Sequence, residues 1–143
     1  THIKRGIGAV VSNTGLLGRW QVLQTAPTLI CDTAHNKEGL LFTMKQLLAT
    51  THKKIHIVFG LVNDKDPEVI LPLLPKSASY YFCAPNISRA LKVTSLKQKA
   101  EELNLTGTSH KSVKSAVRAA LSEASQDDVI YVGGSSFVVA EVL

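Results

Sequence analysis

The stretch that decides the fold runs from Thr28-Leu29-Ile30-Cys31-Asp32 through Thr33-Ala34-His35-Asn36 to Lys54–Gly60. Thr28–Asp32 is a short apolar run ending in a polar turn. Leu40, Leu41, Met44, Leu47 and Leu48 then recur at helical spacing, and Ile55, Ile57, Val58 and Phe59 form a second apolar run. Short continuous apolar runs suit strands buried on both faces, and the 3.6-residue rhythm between them suits a helix, so the stretch predicts strand, helix, strand.

The same alternation continues in both directions. Upstream, Trp20–Leu23 reads as a strand joined to Thr28–Asp32 by the turn Gln24-Thr25-Ala26-Pro27. Further upstream, Ile3, Ile7, Val10 and Val11 recur as on a lead-in helix that stops at Ser12-Asn13-Thr14-Gly15. Downstream, Asp66-Pro67 is an N-cap followed by proline at the first helical position, with Val69, Ile70, Leu73 and Leu74 behind it. Tyr80–Ala84 supplies a strand. Ser95 with Gln98 predicts a capping box, and Ser112 opens the clearest amphipathic helix, with Val113, Ala116, Val117, Ala120, Leu121 and Ala124 on one face. Asp128–Val132 is a last strand, entering Gly133-Gly134-Ser135-Ser136 and a short helix, Phe137–Leu143. Parallel strands need crossovers and each crossover here is helical, so the expectation is a Rossmann-like α/β domain: a mostly parallel sheet with helices on both faces and a short antiparallel strand at the start.

The bulk of the chain agrees with one domain. Its 143 residues suffice for a core without disulfides or metal, and 45% hydrophobic against 19% charged residues marks a globular chain rather than a disordered one. No apolar run approaches the roughly 18 residues of a membrane span, and Thr1-His2-Ile3-Lys4-Arg5 lacks the apolar stretch of a signal peptide, so a cytoplasmic protein with no membrane partner is expected. Cys31 and Cys83 each end an apolar segment, the setting of small structural side chains. The excess of five basic residues is compatible with a polyanionic ligand such as a nucleotide. It lacks the basic run interleaved with exposed aromatics that nucleic acid would require.

Ligands of open α/β sheets bind outside the carboxyl ends of the strands. Four exits carry suitable groups. Asp32-Thr33-Ala34-His35-Asn36 brings a carboxylate, an imidazole and an amide into one strand-to-helix turn, although Asp32 or Asn36 acting as a plain helix cap beside a solvated His35 accounts for the same residues. Gly60-Leu61-Val62-Asn63-Asp64-Lys65-Asp66 presents Lys65 as a point charge for a carboxylate or phosphate, or forms a solvated turn with Asp66 as a cap. Arg89, in the long loop Ala84–Thr94, has a guanidinium able to fork onto an anion, and Gly133-Gly134-Ser135-Ser136 opens a helix with free backbone donors. The chain contains no Gly-x-x-x-x-Gly-Lys-Ser/Thr phosphate loop, no Gly-x-Gly-x-x-Gly fingerprint and no zinc-type spacing of cysteine and histidine, so it has no sequence device for gripping a triphosphate or a metal unaided.

Asp32-Thr33-Ala34-His35-Asn36, followed by Phe59-Gly60, Asp64-Lys65-Asp66 and Gly134-Ser135, resembles in order and spacing the C-terminal domain of folylpolyglutamate and dihydrofolate synthases, members of the Mur-ligase superfamily. The resemblance runs from about Gly15-Leu16-Leu17-Gly18-Arg19-Trp20 to the end of the chain. Leu17 and Lys37 stand where the family usually has proline, and Thr33 where it usually has glycine; the polar residues are intact.

The resemblance implies a reaction: ATP phosphorylates a folate-linked or dihydropteroate carboxylate, and the amine of L-glutamate attacks the acyl phosphate to give an amide. It implies that Arg19 reaches the ATP phosphates, that Asp32 with Asn36 serves the nucleotide, that His35, the catalytic candidate, and Ser135 place the glutamate, and that Lys65 meets a substrate carboxylate. It also implies that residues 1–18 are a linker helix from an N-terminal ATPase domain, with 19–143 the glutamate-ligase domain. ATP, magnesium (Mg2+) and folate would then be held with that other domain, none by this one alone, and the isolated chain would be inactive. Two further readings are a peptidoglycan Mur ligase, which shares the fold and this type of turn, and a non-catalytic nucleotide-binding module.

Overall fold

The computed structural model describes residues 18–50 and 52–143. The lead-in helix expected over Ile3–Val11, and the linker expected over residues 1–18 apart from Gly18, lie outside the described residues.

Five helices and six strands alternate along this part of the chain. In order they are β1 (Gln21–Thr25), β2 (Thr28–Cys31), α1 (Lys37–Ala49), β3 (Ile55–Phe59), α2 (Pro67–Ile70), β4 (Ser79–Phe82), α3 (Val93–Glu102), β5 (Gly107–Ser109), α4 (Val113–Glu123), β6 (Val129–Gly133) and α5 (Ser136–Ala140). Among the described residues the strands form one six-stranded sheet in the order β1-β2-β6-β3-β4-β5. β1 runs antiparallel to β2, and every other neighbouring pair is parallel. This is the mostly parallel sheet with a short antiparallel strand at its start that the alternation predicts.

Period-two alternation sorts the strand residues onto two faces. Ile30, Ile57, Phe59, Tyr80, Phe82 and Tyr131 pack under Leu40, Met44 and Leu47 of α1, Ile70 of α2 and Leu96 and Ala100 of α3. Leu29, Cys31, Val58, Tyr81, Cys83, Ile130 and Val132 pack under Val113, Ala116 and Ala120 of α4 and Val138 and Val139 of α5. Each large side chain fully buried in this way contributes on the order of 1.5–3 kcal/mol. Cys31 and Cys83 are free and buried, and burial pushes both thiols up to about 12, so they remain uncharged packing groups.

Several local details differ from the sequence pattern. α3 begins at Val93, with Lys92 as its cap and no side-chain hydrogen bond there. The capping box expected from Ser95 and Gln98 therefore does not form, because Val93 is drawn onto the core and carries the start of the helix upstream. Leu41 and Leu48 are exposed, and Thr43 takes the expected place on the buried face of α1. α2 stops after four residues and tightens into a 3₁₀ turn over Leu71–Leu73, where Pro72 has no N–H to continue the helix. β5 has no apolar signature at all. It joins the sheet because Gly107 lets its backbone approach Tyr80, where a Cβ would lie 2.2 Å from the Tyr80 carbonyl oxygen. Ser112 starts α4 as expected, and it does so through a capping box with Ser115. No helix of the described residues is long and apolar enough to cross a membrane.

Candidate functional site

Because β2, β6 and β3 are adjacent and parallel, their carboxyl ends open side by side. Asp32 leaves β2 with its N–H on the Val132 carbonyl at 3.1 Å, and Gly60 leaves β3 with its N–H on the Gly133 carbonyl at 3.3 Å. The three exit turns, Asp32–Asn36, Gly60–Asp66 and Gly133–Ser136, therefore line one edge of the sheet.

Asp32 is the most heavily engaged side chain of the first turn. Its Oδ2 accepts from the Trp20 N–H at 2.8 Å, and its Oδ1 accepts from the Ala34 N–H at 2.8 Å and from the Thr43 hydroxyl at 3.4 Å. The Thr33 N–H donates to the Gly18 carbonyl at 2.7 Å. Together these bonds pin the Gly18–Trp20 segment to the β2 exit, and exposed Arg19 is presented from that pinned segment. Trp20 itself adopts a positive φ of 44°, a sparsely populated conformation for a bulky residue that its bond to Asp32 holds in place.

Asn36 is the N-cap of α1, its Oδ1 accepting from the Gly39 N–H at 2.8 Å. The capping role foreseen for Asp32 or Asn36 thus falls to Asn36, and Asp32 does other work. His35, between them, is exposed; its Nδ1 lies 3.2 Å from the Thr33 carbonyl oxygen, which leaves Nε2 without a protein partner among the described residues.

At the β6 exit Gly134 has φ +99°, and a Cβ there would lie 2.3 Å from the Gly60 carbonyl oxygen. Only glycine fits both the backbone conformation and the close approach. The turn that follows seats Ser135 as the N-cap of α5, buried, its Oγ accepting from the Phe137 N–H at 3.1 Å, with no acceptor for its own proton among the described residues. Lys65, half-buried, lies in the β3 exit turn just before the Asp66 cap of α2, whose Oδ1 accepts from the Glu68 N–H at 2.9 Å.

Arg89 comes to the same edge through backbone stitching that the sequence does not reveal. The Asn63 N–H donates to the Arg89 carbonyl at 2.6 Å, the Leu91 N–H to the Leu61 carbonyl at 2.9 Å, and Val62 bridges Ala90. The guanidinium lies 5.2 Å from the Phe137 ring centre, a cation–π contact just past the Ser135 turn. Phe137, Thr43 and Trp20 are site components that sequence reasoning missed. Their partners are far away along the chain, and no local motif marks them.

Arg19, His35 and Asn36 are exposed along this edge, while Ser135 is buried in it. Two clefts of the domain lie elsewhere, one between α2 and α3 by Pro67 and Lys99, and one at the opposite edge of the sheet by Thr25, His52 and Asp128. Near that second cleft a polar chain, buried at His56, Asp128 and Tyr81 and ending on exposed Glu123, links His56 Nε2 to Asp128 at 2.8 Å, His56 Nδ1 to the Tyr81 hydroxyl at 2.9 Å, and that hydroxyl to Glu123 at 2.7 Å. It braces the sheet far from the exit turns. Among the described residues no three His, Cys, Asp or Glu side chains converge as metal ligands would.

The model of the Mur ligase, glutamate ligase domain matches residues 18–136, which span all of these turns. The chain belongs to that family. The chain is 34% identical over 125 residues to a probable bifunctional folylpolyglutamate synthase/dihydropteroate synthase of Haloferax volcanii, covering 87% of this chain and 15% of that protein. It is 30% identical over 142 residues to the dihydrofolate synthase/folylpolyglutamate synthase of Escherichia coli, covering 99% of this chain and 32% of that protein. Its fold superposes with a TM-score of 0.80, at 28% identity, on a bifunctional folylpolyglutamate synthase/dihydrofolate synthase solved with Mn, AMPPNP and L-glutamate bound, covering 88% of this chain and 30% of that one. The glutamate-ligase domain therefore spans a third or less of the length of these relatives.

Proposed function

We propose that this domain is the glutamate-ligase half of an ATP-dependent folylpolyglutamate/dihydrofolate synthase, working with an N-terminal ATPase domain. The observation that carries the reading is the sheet edge on which Asp32, His35, Lys65 and Ser135 are gathered from three neighbouring strand exits, with Arg19 on the segment pinned to Asp32. An edge of this kind is half of a site, and an acyl phosphate survives only where a second surface closes over it and keeps water out.

On this reading the carboxylate of a folate or dihydropteroate substrate takes the γ-phosphoryl group of ATP, with release of ADP. The amine of L-glutamate then attacks the acyl carbon, phosphate leaves, and the amine gives up a proton as the amide forms. Arg19, exposed on a segment pinned by Asp32, meets the ATP phosphates. Asp32 and Asn36 serve the nucleotide side of the site. His35, with Nε2 open, and Ser135, with a proton to donate, hold and orient the incoming glutamate, while Lys65 and Arg89 supply cations for its carboxylates. The divalent ion an ATP reaction needs neutralises phosphate charge, and its ligands belong to the partner domain. The folate branch is preferred to the peptidoglycan one because the relatives above bear folate names and a solved neighbour carries L-glutamate.

The reading is tested by assaying the full-length protein and the 143-residue chain side by side for ADP release and folate–glutamate amide. The full-length enzyme is expected to form both products only when folate and L-glutamate are present, and the isolated chain neither. Turnover by the isolated chain, or an upstream region without a phosphate loop, contradicts it.

A further inference from the structure

Tyr131, in the middle of β6, is fully buried on the face covered by α1, and its hydroxyl is the one buried side-chain polar atom without a hydrogen-bond partner among the described residues. Native proteins rarely leave such a group unpaired, and an orphan hydroxyl calls for a bound water or ligand.

The strand register shows where the hydroxyl sits. Tyr131 stands between Ile30 of β2 and Ile57 of β3. Two residues on, on the same face, Gly133 stands between Asp32 and Phe59. Gly133 has no side chain, and the tyrosine fills that space: a Cβ on Gly133 would lie 2.5 Å from the Tyr131 hydroxyl and 2.6 Å from its Cε1. The ring therefore leans along its strand over Gly133, toward the carboxyl edge where Asp32 leaves β2. Burial first, and the Asp32 charge second, push the hydroxyl's proton affinity well above its ordinary value. The buried Thr43 hydroxyl approaches the same carboxylate from α1.

We propose that Tyr131 is a positioning residue for Asp32, its hydroxyl donating across one bound water to the carboxylate and so fixing the side chain that meets the nucleotide. Among the described residues Oδ2 receives only the Trp20 N–H, which leaves a lone pair for another donor. A water between them would have Tyr131, Asp32 and the Thr43 hydroxyl, which already reaches Asp32, as polar partners. The proposal rests on the nucleotide role given to Asp32 above.

The test uses the full-length enzyme with Tyr131→Phe, Asp32→Ala and the double variant, measuring KM for ATP and for glutamate together with the melting temperature. Phenylalanine keeps the ring and removes one oxygen. Tyr131→Phe is expected to raise the KM for ATP about three- to tenfold, to leave the KM for glutamate unchanged, and to add little on top of Asp32→Ala. If the hydroxyl is only an orphan, its removal relieves a buried polar group: the melting temperature rises, the KM for ATP stays put, and the proposal is overturned. Equal losses for both substrates also overturn it. An Asp32→Ala enzyme with normal use of ATP removes the nucleotide role of Asp32 and the positioning role with it; that outcome differs from one in which Asp32→Ala weakens ATP use and Tyr131→Phe does not.

Discussion

The Trp20 N–H donates to Asp32 Oδ2 at 2.8 Å, so the carboxylate assigned to the nucleotide also anchors the segment that carries Arg19. Asp32→Ala strands the N–H groups of Trp20 and Ala34 at a partly buried site. It is expected to cost the domain about 1–3 kcal/mol, more than the loss of a simple cap. Thermal and denaturant melts of the isolated chain check this, and a variant as stable as the parent contradicts the anchoring role.

Arg89→Ala removes an exposed guanidinium whose partner among the described residues is the Phe137 face, and keeps the backbone bonds of the loop. Stability should change by less than about 1 kcal/mol. In the full-length enzyme the KM for glutamate should rise by roughly tenfold, the worth of one charged hydrogen bond, with the KM for ATP unmoved. Kinetics at varied glutamate concentration decide it, and an unchanged glutamate KM removes Arg89 from the site.

At the opposite edge, burial would raise the Asp128 carboxyl. Hydrogen bonds from His56 and from the Ser125 N–H, with the His56 charge, outweigh that and bring it down to about 2. A depressed carboxyl contributes stability that is fully present above its unfolded pKa of about 3.9 and is lost as pH falls through its folded value. The domain should therefore lose stability between about pH 4 and pH 2, and Asp128→Asn should flatten that part of the curve while lowering stability at neutral pH. Chemical denaturation across this range checks both, and an Asn variant with the parent's acid slope refutes the assignment.

Much of the fold could be read directly because the sheet is buried on both faces. β2, β3 and β6 are apolar runs, and the Ser112 and Asp66 caps mark two helix starts with local chemistry. What could not be read is held by contacts remote in sequence. β5 is Gly-Thr-Ser, paired to β4 through backbone alone. Leu41 and Leu48 fit the helical rhythm of α1, yet that helix spends its inward positions on Leu40, Thr43, Met44 and Leu47. At the site the exit turns were legible from the chemistry of their residues. The bond from Trp20 to Asp32, the Phe137 ring beside Arg89 and the tyrosine leaning over Gly133 were not, since each depends on strand order and register that no local pattern encodes.

The central claim, that one edge divides its residues between nucleotide and glutamate, is tested most directly by steady-state kinetics of Asp32→Ala, His35→Ala and Ser135→Ala in the full-length enzyme, each variant checked by melting. Loss of one hydrogen bond to a charged ligand costs on the order of 1.5–3 kcal/mol, so about ten- to a hundredfold is expected in the matching constant. Asp32→Ala should raise the KM for ATP. His35→Ala and Ser135→Ala should raise the KM for glutamate, His35→Ala with no change in melting and Ser135→Ala with the loss of about 1 kcal/mol that its cap on α5 supplies. Equal losses for both substrates in all three variants, or losses that follow the melting temperature alone, would contradict the account.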